Sequence, residues 1–209
     1  QGLSLMGGRV FFGAYNKNIA TEIQDRAPKR DGLFISTMHA AGFGMVRRAF
    51  PTVKVDDNKC RTIFRDAAAR YPHYVPFEGA VLELVSLAKQ AAFNVGGQTA
   101  KNEWNNLIDH FSIDCLGEDD LAINLARKVL AASISIDHQA VDYDDMIYSP
   151  LVHNMHTYTY DWVLVDEAQD TNAARRLLAL KMLKRNGRLV AVGDEHQAIY
   201  GFTGADAAA

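Results

Sequence analysis

The sequence predicts an α/β domain built on a parallel sheet and interrupted by a helical insertion. Three observations carry that reading. Short apolar runs recur that lack polar alternation, as in strands covered on both faces. A helical pattern follows each of the first three runs. From Pro51 to about Ala140 the strand signal fades and helical periodicity takes over.

The elements follow in order. "RVFFGAY", Arg9 to Tyr15, reads as a buried strand. Asn16 then suits an N-cap, Ile19, Ala20 and Ile23 share a helical face, and Pro28 stops the helix. "GLFISTMH", Gly32 to His39, is the second strand, and "AAGFGMVRRAF" is a helix with a glycine-loosened start, closed by Pro51. Helices are expected over Glu78 to Phe93, Lys101 to Phe111 and Asp119 to Ile136. "WVLVD" is the third strand. Its helix is expected from Asn172 to Arg185, burying Leu177, Leu178, Leu180 and Leu183, with Asn186-Gly187 as C-cap. "RLVAVGD", Arg188 to Asp194, is the fourth strand. The expected division is 1–50 with 140–209 as the α/β part and 51–139 as the insertion.

Composition excludes several classes. The 209 residues are 48% hydrophobic, and no apolar run approaches the ~18 residues of a membrane span. Cys60 and Cys115 lack CxxC spacing and read as reduced thiols of a cytosolic protein. His153 and His156 could share a helical face, but no acidic or Cys partner follows at zinc-ligand spacing. Net charge is −3, distributed unevenly: residues 1–70 hold 12 Lys/Arg against 6 Asp/Glu. A basic portion on an acidic chain can mark a polyanion groove or chance clustering. The chain opens at Gln1 rather than Met and ends in "GADAAA", so it reads as a piece of something longer.

In open parallel sheets, ligands sit at the carboxyl ends of the strands. Here those ends carry Tyr15-Asn16-Lys17, Ser36-Thr37-Met38-His39, Asp166-Glu167 and Gly193-Asp194. Strand alternation should send Asp166 and Glu167 to opposite sides. One carboxylate can then hold Mg²⁺ while the other orients or deprotonates a water. As a dipeptide, Asp-Glu supports little more than an acidic helix start.

The wider pattern is more specific. "VDEAQD", Val165 to Asp170, and "GDEHQAIYGFTGA", Gly193 to Ala205, resemble motifs II and III of the UvrD/Rep-like branch of superfamily 1 helicases. "GAYNKNIATEI" resembles motif Ia, "STMHAAG" motif Ib, and "VDYDDMIY" the acidic segment that precedes motif II. The resemblance implies a partial first RecA-like domain of a P-loop NTPase, carrying an inserted helical subdomain. It implies ATP and Mg²⁺ as cofactors. Asp166 would coordinate Mg²⁺ through water, Glu167 would activate the hydrolytic water, and Gln197 would sense the γ-phosphate. Gln169, Asp170 and Asp194 would couple the nucleotide site to motif III. Asn16, His39, Tyr200 and Phe202 would meet the nucleic acid, with Phe202 stacking on a base.

Thr203 departs from the family, which often has Arg there. No GxxxxGK[ST] phosphate loop occurs in the chain, and "MGGRV" at Met6 to Val10 is not one. The implied function is ATP-driven movement along single-stranded DNA and unwinding at duplex junctions, RNA not excluded, with a second RecA-like domain of the same protein as partner. The alternative is a non-catalytic helicase-like binding or assembly module. Either is expected in the cytoplasm, associated with the nucleoid, or in the nucleus, neither secreted nor bound to a membrane.

Overall fold

The computed structural model describes residues 6–135 and 140–194. Its main sheet holds four strands: β1 (Val10–Ala14), β2 (Leu33–Thr37), β5 (Tyr160–Val165) and β6 (Leu183–Ala191). Their order is β2-β1-β5-β6 and every pairing is parallel. All four carboxyl ends therefore face one edge.

Three βα turns repeat one local device. Asn16 Oδ1 accepts from the Ile19 backbone N at 2.9 Å and caps α1 (Lys17–Arg26). Thr37 Oγ1 accepts from Ala40 N at 3.1 Å and caps α2 (Met38–Ala49). Asn172 Oδ1 accepts from Arg175 N at 3.0 Å and caps α8 (Ala173–Lys181). Each side chain satisfies a helix donor that would otherwise lack a partner. Each cap also starts its helix at the carboxyl edge of the sheet.

Between α2 and β5 the chain runs through α3 (Lys59–Ala68), a 3₁₀ turn (Pro72–Phe77), α4 (Glu78–Gln90), α5 (Lys101–Phe111), α6 (Asp119–Ser133) and α7 (Asp145–Val152). The helical block enters through β3 (Lys54–Val55) and leaves through β4 (Ala140–Val141), and these two short strands pair in parallel. Two main apolar clusters result. One gathers Phe64, Leu84, Trp104, Ile123 and Leu130 among the block's helices. The other gathers Phe11, Met45, Val163, Leu178 and Met182 over the sheet. The single helix α7 serves both: Tyr148 packs into the first cluster, Ile147 and Leu151 into the second. The Tyr148 hydroxyl donates to the Phe93 carbonyl at 2.6 Å.

Beside α7 lies a buried ion cluster. Lys89 on α4 meets Asp142 at 2.6 Å and Asp145 at 2.8 Å, while Lys59 on α3 meets Asp145 at 2.6 Å. The Lys89–Asp145 Oδ1 contact is an ion pair without hydrogen-bond alignment. Lys89 is 1% exposed and Asp145 is 0% exposed. Burial alone pulls the Lys89 ammonium down, but the two aspartates outweigh it and hold Lys89 above its usual range. Burial pushes the neighbouring Cys60 thiol up to about 11, so it stays protonated and donates to Asp142 at 3.2 Å.

Four expectations are corrected. The last helix ends at Lys181 rather than Arg185, and Asn186-Gly187 lie inside β6 instead of capping it. Met182 is buried and its carbonyl already accepts from Tyr160 N at 2.9 Å, so strand pairing begins where the helix stops. Between Tyr160↔Leu183 and Trp162↔Arg188 the register shifts, and Lys184 bonds Asp161 at 2.7 Å beside that bulge. Leu177 and Leu180 are exposed, while Leu178 and Ala179 are buried. His153 caps the end of α7 and His156 lies beyond it, so they share no helical face. Finally, α3 and α7 were not anticipated; Cys60, Ile63, Phe64 and Ala68 do carry a helical spacing, and Pro150 obscures α7.

The glycine in the first half of α2 has a packing reason. A Cβ on Gly42 would overlap the Met146 carbonyl, so α2 and α7 approach to backbone contact there. Gly42→Ala should therefore destabilise despite its better helix propensity, by about 1–3 kcal/mol. A thermal melt should show a fall of several degrees; an unchanged or raised midpoint would contradict this packing. Lys89→Met strands Asp142 and Asp145 with Lys59 as their one remaining lysine partner in the cluster. It should cost about 3–5 kcal/mol in urea unfolding, far more than a surface lysine loss.

Candidate active site

The turn after β5 is built by a backbone exception. Glu167 sits in the left-handed region, φ 50° and ψ 52°, which a side chain other than glycine rarely adopts. Strand alternation thus ends at Val165 and does not set the Asp166–Glu167 geometry. The left-handed residue folds the chain at once into a 3₁₀ turn, Ala168–Asp170, with Asp170 N donating to Glu167 O at 3.0 Å. Strain of this kind costs about 1–3 kcal/mol and persists where surroundings enforce it.

Those surroundings come from both flanking strands. Asp166 N donates to the Gly13 carbonyl of β1 at 3.1 Å. Ala168 N donates to the Val192 carbonyl, just beyond β6, at 2.9 Å. The Gln169 side chain completes the frame. Its Nε2 donates to Glu167 Oε2 at 2.7 Å and its Oε1 accepts from Asp194 N at 3.1 Å. A carboxylate can only accept and a backbone N–H can only donate, so the amide orientation is dictated. A Cβ on Gly193 would strike Gln169, which explains a glycine at that place.

The carboxylates crowd one another. Asp166 is raised above the usual range by burial and then by the Glu167 charge. Asp170 is raised the same way, by burial first and Glu167 second. Its Oδ1 is buried without a hydrogen-bond partner. Among the described residues no three His, Cys, Asp or Glu side chains come together as a metal-binding group, so the turn offers the Asp166 carboxylate as a single hard oxygen donor to a divalent cation such as Mg²⁺.

The remaining anticipated residues scatter. Asn16 caps α1 at the exposed end of β1. His39 lies in the first turn of α2, its ring 6.2 Å edge-on from Tyr143. Gln197, Tyr200 and Phe202 lie outside the described residues, as does Thr203.

Sequence reasoning missed Arg175. Its Nη1 donates to the Asp170 carbonyl at 3.3 Å, tying α8 back to the carboxylate turn. It also lines a polar cavity of about 100 Å³ with His39, Gln90 and Asp144. Its position one turn into the helix after "DEAQDTN" was the available signal.

The profile of the UvrD/REP helicase N-terminal domain matches residues 10–209. The chain belongs to this family. It is 34% identical over 216 residues to ATP-dependent DNA helicase PcrA of Bacillus subtilis, covering 92% of the chain and 27% of that protein. It is 36% identical over 124 residues to ATP-dependent DNA helicase UvrD1 of Mycobacterium tuberculosis, covering 48% of the chain and 16% of that protein. It is 25% identical over 219 residues to F-box DNA helicase protein 1 of Schizosaccharomyces pombe, covering 96% of the chain and 24% of that protein. The chain thus spans about a quarter or less of these relatives. The four-stranded parallel sheet with its helices is consistent with a partial RecA-like helicase domain. Among the described residues no helix is long and apolar enough to cross a membrane.

In this UvrD/REP-type domain His39 is held neutral. Burial, with the Arg175 charge adding to it, lowers its pKa to about 4. The groups around it are Arg175 from α8, Lys89 and Gln90 from α4, and Tyr143 and Asp144 before α7. The unfolded chain binds a proton near 6.5 and the folded one near 4, so between these pH values the unfolded state holds more protons. Stability contributed by His39 is full above pH 6.5 and lost as pH falls toward 4, by up to about 3 kcal/mol. Asp144, raised chiefly by burial, acts in the opposite sense, so the comparison must be with His39→Gln. Urea unfolding of the two proteins at pH 7.5 and 5 should show the variant gaining relative stability in acid. Parallel pH profiles would contradict a neutral His39.

Proposed function

We propose that the intact protein is an ATP-dependent translocase and helicase that moves along single-stranded DNA, RNA not excluded, and opens duplex junctions. In this reading residues 1–50 and 140–209 form part of the first RecA-like domain, and 51–139 the inserted helical subdomain. The observation that carries it is the Gln169 bridge. One side chain holds the Glu167 carboxylate and the backbone following β6, so the base and the β6 terminus form one unit.

Glu167 would take the proton of the water that attacks the γ-phosphate. Its carboxylate is aimed by Gln169 and by the left-handed backbone, so little reorganisation is needed when ATP binds. Asp166 would hold Mg²⁺ through water, and the ion would neutralise phosphate charge. Asp170 and Arg175 would fix the turn against α8. Gln197 would sense the γ-phosphate, and Asp194, three residues before it, would pass the change through Gln169. A second RecA-like domain of the same protein would close the nucleotide cleft. Asn16, His39, Tyr200 and Phe202 would contact the strand.

The test is Glu167→Gln in the intact protein. ATP binding should persist, while hydrolysis falls at least ~100-fold, the loss typical of a removed general base. Turnover within a few-fold of wild type would remove Glu167 from this role.

A further inference from the structure

Away from the carboxylate turn, a groove of about 560 Å³ runs beside β2. Among the described residues β2 is an outer strand of the sheet. The groove starts at Ser36 and Ala40, next to the Thr37 cap, and follows one face of α2 past Gly44 to Arg48. Its far end is aromatic: Phe34, 43% exposed, and Tyr158, 51% exposed, stand beside Tyr160. The Arg9 guanidinium lies 5.1 to 5.2 Å from all three ring centres, and Arg48 lies 4.9 Å from that of Tyr158.

The charge is one-sided. Lys29, Arg30 and Arg48 line the groove and no carboxylate does. Neither these three nor Arg9 forms a salt bridge with a described carboxylate. Cation–π contact accounts for Arg9 and Arg48. Arg30 has one long bond, from Nη2 to the Gly8 carbonyl at 3.5 Å, which leaves most of its donors free, and cation–π contact does not account for Lys29 converging on the same space, where like charges repel.

We propose that this groove binds single-stranded nucleic acid continuing from the carboxyl end of β2. The inference rests on the helicase reading, which brings the strand to that end. Phosphates would meet Lys29, Arg30 and Arg48, and a base would stack on an exposed aromatic face. That combination binds any sequence, since cations track the backbone and every base has a π-face. A peptide strand adding to the β2 edge is disfavoured. Gln24 Nε2 already donates to the Ile35 carbonyl at 2.7 Å, which blunts that edge.

The experiment measures binding of a long oligothymidylate to the intact protein by fluorescence anisotropy across a salt series. The variants are Lys29→Gln with Arg48→Gln, and separately Tyr158→Leu. The double variant should lose at least about fivefold in affinity at 0.1 M salt. Its salt slope should fall by about 1.4, or ~0.7 per lost phosphate contact. Tyr158→Leu should lose about tenfold with its slope kept, because stacking is not ionic. ATP hydrolysis without nucleic acid should be unchanged in both, since none of the three residues touches the carboxylate turn. Wild-type affinity and slope in both variants would overturn the inference while leaving the helicase reading intact. So would an acidic peptide that protects Lys29 from acylation better than oligothymidylate does. Wild-type protein that binds no oligothymidylate would sink the helicase reading, and the groove with it.

Discussion

Two lysines and two aspartates, all buried except the partly exposed Asp142, hold the two halves of the molecule in one arrangement. Lys59 and Lys89 come from the helical block, Asp142 and Asp145 from the chain that returns to the sheet. Bringing such charges largely out of water is costly, and their mutual attraction repays this only in good geometry. The aspartates complete that geometry between themselves: Asp142 N donates to Asp145 Oδ2 at 3.1 Å and Asp145 N to Asp142 Oδ1 at 2.8 Å. An apolar cluster tolerates sliding; a closed ion cluster does not. The cluster therefore fixes where α7 begins, and α7 in turn packs on both cores and against Gly42 of α2.

The carboxylate turn is fixed by a different means. It borrows backbone partners from β1 and from the residue after β6, then locks Glu167 with a side-chain amide. A left-handed glutamate carries a strain of about 1–3 kcal/mol. It persists here because partners on both flanking strands constrain the turn. The same arrangement keeps two raised carboxylates, Asp166 and Asp170, beside a third. Burial is the larger cause in both, and the Glu167 charge adds to it.

How much of this the sequence disclosed depended on the range of the interaction. The first three strands and the cap at Asn16 are written in apolar runs and adjacent polar residues, so they were legible, whereas the fourth strand starts five residues before the expected Arg188. The end of α8 was not, because a strand pairing from Tyr160, more than twenty residues away, stops the helix before Asn186-Gly187. Asp166, Glu167 and Gln169 were found by motif, but the left-handed backbone at Glu167 was not, since nothing in "VDEAQD" announces a positive φ. Lys89 read as one more charged residue on a helix. Its burial depends on Asp142, more than fifty residues later, a pairing with no local signature.

The polar cavity around His39 connects these two devices. Arg175 reaches Asp170 on one side and the cavity on the other. Asp144 faces the same cavity while bonding Ser86 and Gln90 of α4, at 2.6 and 3.3 Å. A path of direct contacts thus runs from Glu167 through the turn to Asp170, Arg175 and the cavity, then to α4 and its buried lysine. A pocket of this size with several polar walls suits bound water rather than apolar filling. On the turn side the links are backbone hydrogen bonds and the Arg175 Nη1–Asp170 carbonyl bond, and on the helical side they are the Ser86 and Gln90 bonds to Asp144. A neutral His39 suits that place, because a second cation beside Arg175 would repel it.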